Sequence, residues 1–134
     1  MPSRKIEGCH PTLQPLLREF LTHCQAAGMS ILVTCTYRCG AEQDALYAQG
    51  RTKPGLKVTN ARAGQSRHND TLNGKPASTA FDFVPLDANS KAMWDGKHSH
   101  WQKAGEIGEA LGLEWAARWP SFKEMPHLQL KQRP

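Results

Sequence analysis

The sequence has no apolar run long enough to cross a membrane. None of its 134 residues lies in a stretch that approaches the roughly 18 consecutive apolar residues of a membrane helix. The amino-terminal segment MPSRKIEGCHP is polar and has none of the apolar core that a signal peptide carries. We therefore expect synthesis in the cytoplasm without a signal peptide and no stable insertion into a membrane.

Several motifs of common enzymes are also missing. The chain has no GxSxG nucleophile elbow, no phosphate-binding glycine loop and no HExxH zinc motif. Its four cysteines, at positions 9, 24, 35 and 39, form no CxxC pair, which argues against a four-cysteine zinc site. We expect these cysteines to be free thiols, with a disulfide between Cys35 and Cys39 as the alternative.

The composition that remains is that of one globular domain. The chain is 39% hydrophobic and 22% charged, and its length suits a single domain over residues 1–134. The net charge of +5 indicates an acidic partner, such as nucleic acid or an anionic wall polymer, or a simple solubilising excess. No run of lysine and arginine marks a nucleic-acid surface, so we expect no nucleic-acid partner.

The spacing of apolar residues predicts the fold class. Helical spacing marks three segments, at residues 11–27, 41–49 and 100–111. Strand-like runs mark five others, at residues 30–36, 80–85, 92–94, 113–116 and 127–130. Ser99 is the expected N-cap of the last helix, and residues 51–65 read as a long loop. This order predicts one compact α+β domain, in which helices pack around a small, mostly antiparallel sheet.

The stretch SRHNDTLNGKPASTAFDF, residues 66–83, places a histidine and an aspartate at the two ends of a polar loop. Asp82 stands between two phenylalanines, where burial of a carboxylate is costly unless the carboxylate is paired. With His68 and His127 it would complete the three-ligand set of a catalytic zinc. Glu124 would then stand where a general base takes a proton from water. Each residue also has an ordinary interpretation, as a surface histidine, a turn cap or a solvated charge.

Three blocks of the chain resemble one known family. They are TYRCGAEQDALYAQGRTKPGLKVTNA, GQSRHN…ASTAFDF and GLEWAARWPSFKEMPHLQL, and together they span about residues 36–130. These blocks are similar to the zinc L-alanyl-D-glutamate endopeptidases of the phage endolysin type, in the D-Ala-D-Ala carboxypeptidase/dipeptidase superfamily (peptidase family M15). The resemblance implies one zinc ion per chain and hydrolysis of the peptide stem of bacterial peptidoglycan at the L-alanyl-D-glutamate bond.

The resemblance also assigns roles by position. It implies zinc ligands at His68, Asp82 and His127, the catalytic acid/base at Glu124, an oxyanion-stabilising arginine at Arg38, and substrate contacts at Ser66 and Trp119. The ordinary interpretation of Arg38 is a surface arginine paired with Glu42 or Asp44.

The family's segment between the histidine and the aspartate is commonly shorter. Residues 69–79 therefore look like an insertion at the rim of the site, either a substrate lid or a plain surface loop. Because of this departure, Asp70 is the runner-up for the carboxylate ligand.

Two other functions stay open at this point. One is a D-Ala-D-Ala carboxypeptidase or dipeptidase that uses the same site. The other is a non-catalytic wall-binding zinc module, against which Glu124 argues, because a binding module needs no base. For the enzyme we expect a monomer that acts on peptidoglycan in the periplasm or cell wall after holin-dependent release.

Overall fold

The computed structural model describes residues 2–134. Its helices are α1 (Gln14–Ala26), α2 (Gly40–Ala48) and α3 (Ser99–Ala110). Its strands are β1 (Ser30–Cys35), β2 (Thr71–Leu72), β3 (Lys75–Pro76), β4 (Ala80–Leu86), β5 (Leu113–Trp115) and β6 (His127–Leu130). Four strands form a sheet in the order β1-β4-β6-β5, and every neighbouring pair in it is antiparallel. The predicted α+β class with a small antiparallel sheet is confirmed.

The central strand β4 separates an apolar face of the sheet from a polar one. Successive side chains of a strand point to opposite faces, so Phe81 and Phe83 share one face. Both are fully buried there, and their ring centroids lie 5.3 Å and 5.1 Å from that of Phe20 on α1. Asp82, between them, points to the other face. Alternation therefore lets a carboxylate stand between two phenylalanines without entering the core.

Helix α3 packs closely on the sheet because two glycines face it. A Cβ atom on Gly105 would lie 2.3 Å from Cδ2 of Trp115, and one on Gly108 would lie 2.6 Å from Cδ1 of Leu128. The Trp115 indole is itself fixed, since its Nε1 donates to the carbonyl of Met125 at 2.9 Å. This packing therefore also positions the segment that leads into β6.

Two predicted helix starts need correction. Helix α1 begins at Gln14 rather than at residue 11, and Pro15 lies in its first turn, where a missing N–H costs nothing. Helix α3 is capped by His98, whose Nδ1 accepts from the backbone N–H of His100 at 3.2 Å, so Ser99 is the first helical residue and not the cap.

The strand predicted at residues 92–94 is absent from the part of the chain that the structure describes. This segment has one isolated bridge, between Leu86 and Ala92, and a backbone hydrogen bond from Met93 N–H to the Pro85 carbonyl at 2.9 Å. The Met93 carbonyl accepts from the Trp101 indole instead of from a strand. A side chain thus replaces the ladder partner that a strand would need.

Residues 69–79 form a tight hairpin rather than an open loop. Strands β2 and β3 pair across Asn73 and Gly74, whose φ angles of 54° and 77° are those of a two-residue hairpin turn. The Asp70 carboxylate accepts from Arg133 Nε at 3.0 Å and from the Thr79 hydroxyl. Asp70, the runner-up ligand, therefore anchors the base of the hairpin.

All four cysteines are free thiols, as expected. Burial raises the pKa of Cys9 and of Cys24 to about 12, so neither is ionised near neutral pH. No helix among residues 2–134 is both long and apolar enough to span a membrane.

The glycines of α3 give a graded prediction. Alanine in place of a helical glycine ordinarily stabilises a helix by about 1 kcal/mol. Gly105→Ala should instead lower the free energy of unfolding by about 1–3 kcal/mol, because the hydrogen-bonded Trp115 indole cannot move aside. Gly108→Ala should cost less, since the terminal methyls of Leu128 can rotate away. Urea unfolding measures both, and a stabilised Gly105→Ala variant would refute this packing.

Candidate metal centre and active-site cavity

Strand register and one capped turn bring three predicted residues together. Asp82 of β4 pairs directly with His127 of β6, so both side chains lie on the polar face of the sheet. His68 lies in the 3-10 turn Arg67–Asn69, where the Ser66 hydroxyl accepts from the His68 backbone N–H at 3.1 Å. Oδ1 of Asp82 is 3.2 Å from His68 Nε2 and 3.1 Å from His127 Nδ1.

The outer nitrogen of each imidazole is already engaged. His68 Nδ1 lies 2.7 Å from the Thr36 carbonyl, which can only accept, so Nδ1 is the donor. His127 Nε2 lies 2.8 Å from Oε1 of Gln129, whose amide nitrogen donates to Glu114. Because that second bond fixes the amide's orientation, His127 Nε2 is also a donor. The inner nitrogens therefore carry the lone pairs when the rings are neutral.

This donor set fits a divalent cation. A carboxylate oxygen that lies 3.1–3.2 Å from each of two imidazole lone pairs is repelled by both unless a proton or a cation lies between them. A tetrahedral ion with bonds of about 2.0–2.1 Å separates its donors by about 3.3–3.4 Å, close to the two distances from Asp82 Oδ1; the centroids of the two imidazole rings lie 5.1 Å apart. Each histidine also has the outer hydrogen-bond partner that metal-bound imidazoles usually have.

The electrostatics of the cluster agree with this interpretation. Burial lowers the pKa of His68, but the charge of Asp82 and its hydrogen bond raise it by more, to about 10. The pKa of Asp82 lies well below its usual range, because the two imidazoles outweigh the opposing effect of burial. A cation would take the place of the shared proton, so metal binding should release protons.

A second set of donors includes a thiol. Ligand atoms of Cys35, His68 and Asp82 lie within 4.8 Å of one another. Cys35 Sγ is 3.6 Å from Nδ1 of His68, the nitrogen that donates to the Thr36 carbonyl. A metal held by this set through that nitrogen would need His68 to give up its hydrogen bond to the Thr36 carbonyl, which favours the two-histidine set.

Glu124 stands beside the cluster without joining its closest contacts. Its Oε2 is 3.5 Å from His127 Nδ1, and about a third of its side chain is exposed. Burial raises the pKa of Glu124; His127 opposes this shift, and the charge of Asp82 adds to it. A partly exposed carboxylate with a raised pKa can exchange protons with a water in the cavity.

Arg38 points towards the same cluster. Its NH1 donates to Gln43 Oε1 at 2.9 Å, and its NH2 lies 3.6 Å from Cys35 Sγ and 3.9 Å from Asp82 Oδ2. Its Nε is buried and has no hydrogen-bond partner among the described residues. The ordinary interpretation of Arg38, a surface pair with the acidic residues of α2, does not describe these contacts.

Gln43 is a residue that sequence interpretation missed. It is fully buried, its Oε1 accepts from Arg38, and its Nε2 donates to the Ala61 carbonyl at 2.7 Å and faces the Thr59 hydroxyl at 3.3 Å. It therefore joins Arg38 to the loop at residues 51–65. The available signal was a glutamine on the inner face of a short helix, in the block EQDALYAQGRT.

A cavity of about 880 Å³ opens over the cluster. Ser66 and Trp119, predicted to bind substrate, both line it. Trp119 also donates from Nε1 to Glu114 at 2.9 Å, and its ring centroid lies 5.6 Å from that of His127. Residues 69–79 contribute nothing to the lining, which favours the plain surface loop over the substrate lid.

Two histidines and an aspartate that could bind a metal, with the Glu124 carboxylate beside them, are typical of a metallopeptidase site. The family described as D-alanyl-D-alanine carboxypeptidase, in peptidase family M15, matches residues 59–130. The peptidoglycan L-alanyl-D-glutamate endopeptidase CwlK of Bacillus subtilis (strain 168) is 36% identical over an aligned length of 129, and the match covers 88% of this chain and 73% of CwlK. The chain belongs to peptidase family M15, as the resemblance drawn from its sequence implies.

Solved structures share the fold. The L-Ala D-Glu endopeptidase ChiX of Serratia marcescens superimposes with a TM-score of 0.67 at 20% identity, over 98% of this chain and 89% of ChiX. The vancomycin-resistance D,D-pentapeptidase VanY, solved as a mutant in complex with Zn(II), gives a TM-score of 0.64 at 17% identity, over 91% of this chain and 72% of VanY.

Zinc content tests which of the two candidate carboxylates, Asp82 or Asp70, binds the metal. We expect about one zinc ion per chain in the wild type and near none in Asp82→Ala, because a catalytic zinc needs three protein ligands. Asp70→Ala is the matched control: it removes a carboxylate that pairs with Arg133 and should keep its zinc. Elemental analysis after gel filtration measures the zinc content of both variants. Zinc loss in Asp70→Ala, with retention in Asp82→Ala, would reverse the assignment.

Proposed function

We propose that this chain is a zinc-dependent peptidase that hydrolyses the L-alanyl-D-glutamate bond in the peptide stem of peptidoglycan. The observation that carries this proposal is the position of Asp82 Oδ1 within 3.2 Å of both inner imidazole nitrogens. The 36% identity to CwlK, whose name states this activity, supports the choice of bond. The site of action is then the periplasm or cell wall, and the working unit is a monomer.

Three side chains would hold one zinc ion: His68 through Nε2, His127 through Nδ1, and the carboxylate of Asp82. When bound, the ion supplies Lewis-acid chemistry, which polarises the scissile carbonyl and makes a water more acidic. The Thr36 carbonyl and the Gln129 amide keep the two rings in the tautomer and orientation that this task requires.

Glu124 moves the protons of the reaction. It accepts a proton from the attacking water and later donates it to the amine of D-glutamate as the peptide bond breaks. Its raised pKa brings it nearer to the working pH, which suits a group that must act first as a base and then as an acid. Its partly exposed position beside His127 leaves it in reach of the cavity.

Arg38 stabilises the negative charge that develops on the carbonyl oxygen. A guanidinium stays charged at any working pH, and a fixed charge in a partly buried cavity needs no rearrangement during the reaction. Gln43 and Cys35 hold the group in place from two sides. The stem is anionic through D-glutamate, which agrees with the chain's net charge of +5.

The base gives the most direct test of function. Glu124→Gln keeps the size of the side chain but cannot take a proton, so turnover should fall by a factor on the order of 10²–10⁴. Mass spectrometry of muropeptides after digestion of purified peptidoglycan measures the rate and the bond cut. Glu106→Gln, at an exposed position on α3, is the matched control and should be fully active.

The same digest distinguishes the alternatives. Products that begin with D-glutamate support the proposal, whereas release of free D-alanine would assign the chain as a carboxypeptidase. Full activity of zinc-loaded Glu124→Gln would remove Glu124 from the mechanism. Binding of peptidoglycan without any cleavage by the wild type would establish the wall-binding module.

Arg38 has a separate kinetic signature. Arg38→Ala should lower kcat by about 10²-fold with zinc content and Tm little changed, and added guanidinium should restore part of the rate. Gln43→Leu should also lower kcat with little effect on KM, because the charge remains but loses its orientation. Arg18→Ala, at an exposed position on α1, is the control. Wild-type rates in Arg38→Ala would place the arginine outside the mechanism.

A further inference from the structure

Two exposed aromatic side chains line the active-site cavity, and the proposed mechanism uses neither of them. Trp94 is 61% exposed and Phe122 is 39% exposed. Val58 on the loop at residues 51–65 is the other large apolar side chain that is exposed and lines the cavity, whereas Leu56 lies outside the lining. Exposed aromatic rings at the mouth of a binding cavity are typical of a surface that a ligand covers.

The backbone next to Trp94 is anchored on both sides of Met93, although the Trp94 ring is exposed. Its neighbour Met93 is hydrogen-bonded on both sides, through N–H to the Pro85 carbonyl and through its carbonyl to the Trp101 indole, both at 2.9 Å. The Trp94 ring lies 6.1 Å from the buried Trp101 ring, tilted by 34°. An aromatic platform fixed in this way loses little conformational entropy when it binds a ligand.

Phe122 has an unusual backbone conformation. Its φ is 51°, in the left-handed region that a bulky side chain rarely adopts. It lies between Trp119, whose ring is next to that of His127, and Glu124, the proposed base. The chain from residue 119 to residue 124 therefore contributes two aromatic side chains, Trp119 and Phe122, to the lining of the cavity.

The chemistry of the proposed substrate narrows the identity of the ligand. The peptide stem offers only alanine methyl groups and charged side chains, too little apolar surface to cover two large rings. The sugar that carries the stem is joined through its lactyl group to the L-alanine, on the amino side of the scissile bond. Because one extended residue spans only about 3.3–3.6 Å, that sugar ring must lie close to the cluster during cleavage.

Other parts of the lining suit the opposite half of the substrate. The loop at residues 51–65 contributes polar groups there, including Asn60, which accepts from Arg51 at 3.1 Å. Arg51 and Arg62 both lie against the ring of Tyr47, so positive charge is gathered beside that loop. The carboxylates of the stem suit these charges; Lys123 adds a further positive charge to the lining next to Phe122, and the exposed Trp94 ring is left for the uncharged sugar.

We propose that Trp94 and Phe122 form a subsite for the N-acetylated amino-sugar ring that bears the peptide stem. The apolar C–H face of the pyranose ring stacks on the indole, and Phe122 covers its edge. This inference rests on the proposed function and adds to it a preference for stems that are still attached to the glycan strand.

Two substrates test the subsite: a disaccharide-linked stem peptide, and the same peptide with an acetyl cap in place of the sugar. Trp94→Ala and Phe122→Ala should each raise KM for the sugar-bearing substrate by about 10-fold or more. Both variants should cleave the acetylated peptide within about 2-fold of the wild-type rate, and kcat should change little on either substrate. Trp94→Tyr should keep most of the preference, and Leu56→Ala should keep all of it.

Equal losses on both substrates, or no loss on either, would overturn the subsite. If the wild type cleaves neither substrate, the proposed function itself fails. A direct binding measurement then tests the subsite separately. The stemless disaccharide should then still shift the Trp94 indole resonance in NMR spectra of the zinc-loaded protein, and should shift no indole resonance in Trp94→Ala. An unchanged wild-type spectrum at saturating sugar would refute the inference.

Discussion

One carboxylate oxygen between two imidazole nitrogens is the interaction on which the rest of this structure depends. Asp82 Oδ1 lies within 3.2 Å of both His68 Nε2 and His127 Nδ1, where bare lone pairs would repel it. Such a cluster is tolerable only with a positive charge inside it and with every outer polar atom satisfied. The Thr36 carbonyl and the Gln129 amide meet the second requirement.

The remaining elements hold this cluster, Glu124 and Arg38 in place. The apolar face of β4 packs through Phe81 and Phe83 on α1, which fixes the strand that carries Asp82. The glycines of α3 let it approach β5, whose Trp115 holds the Met125 carbonyl, one residue beyond Glu124. Buried Gln43 holds Arg38 and ties it to the loop at residues 51–65. Core packing and site geometry are therefore the same set of contacts.

Sequence predicted those parts of the molecule that have a periodic or positional signal. The cost of burying a carboxylate between two phenylalanines predicted that Asp82 is paired, and apolar spacing predicted the antiparallel sheet and the helices around it. Contacts between residues that are distant in the chain could not be predicted from the sequence. Residues 92–94 form no strand in the described part of the chain, because the Trp101 indole donates to the Met93 carbonyl, which a neighbouring strand would otherwise have used.

Long-range pairs explain two of the other differences between the predictions and the structure, and a local turn explains a third. Asp70 was a plausible ligand by its position after His68, but Arg133, 63 residues away, engages it. Gln43 carries no catalytic signature, and its role becomes visible only when Arg38 and Ala61 meet around it. The hairpin at residues 71–76 was hidden in a stretch that looked like plain loop, although Asn73-Gly74 is a strong turn signal.

X-ray absorption at the zinc edge of the metal-loaded protein tests the central claim most directly. The account predicts a first shell of nitrogen and oxygen atoms only, at about 2.0–2.2 Å, with the outer-shell scattering of two imidazole rings. A sulfur scatterer at about 2.3 Å would instead place Cys35 on the metal and contradict the two-histidine site.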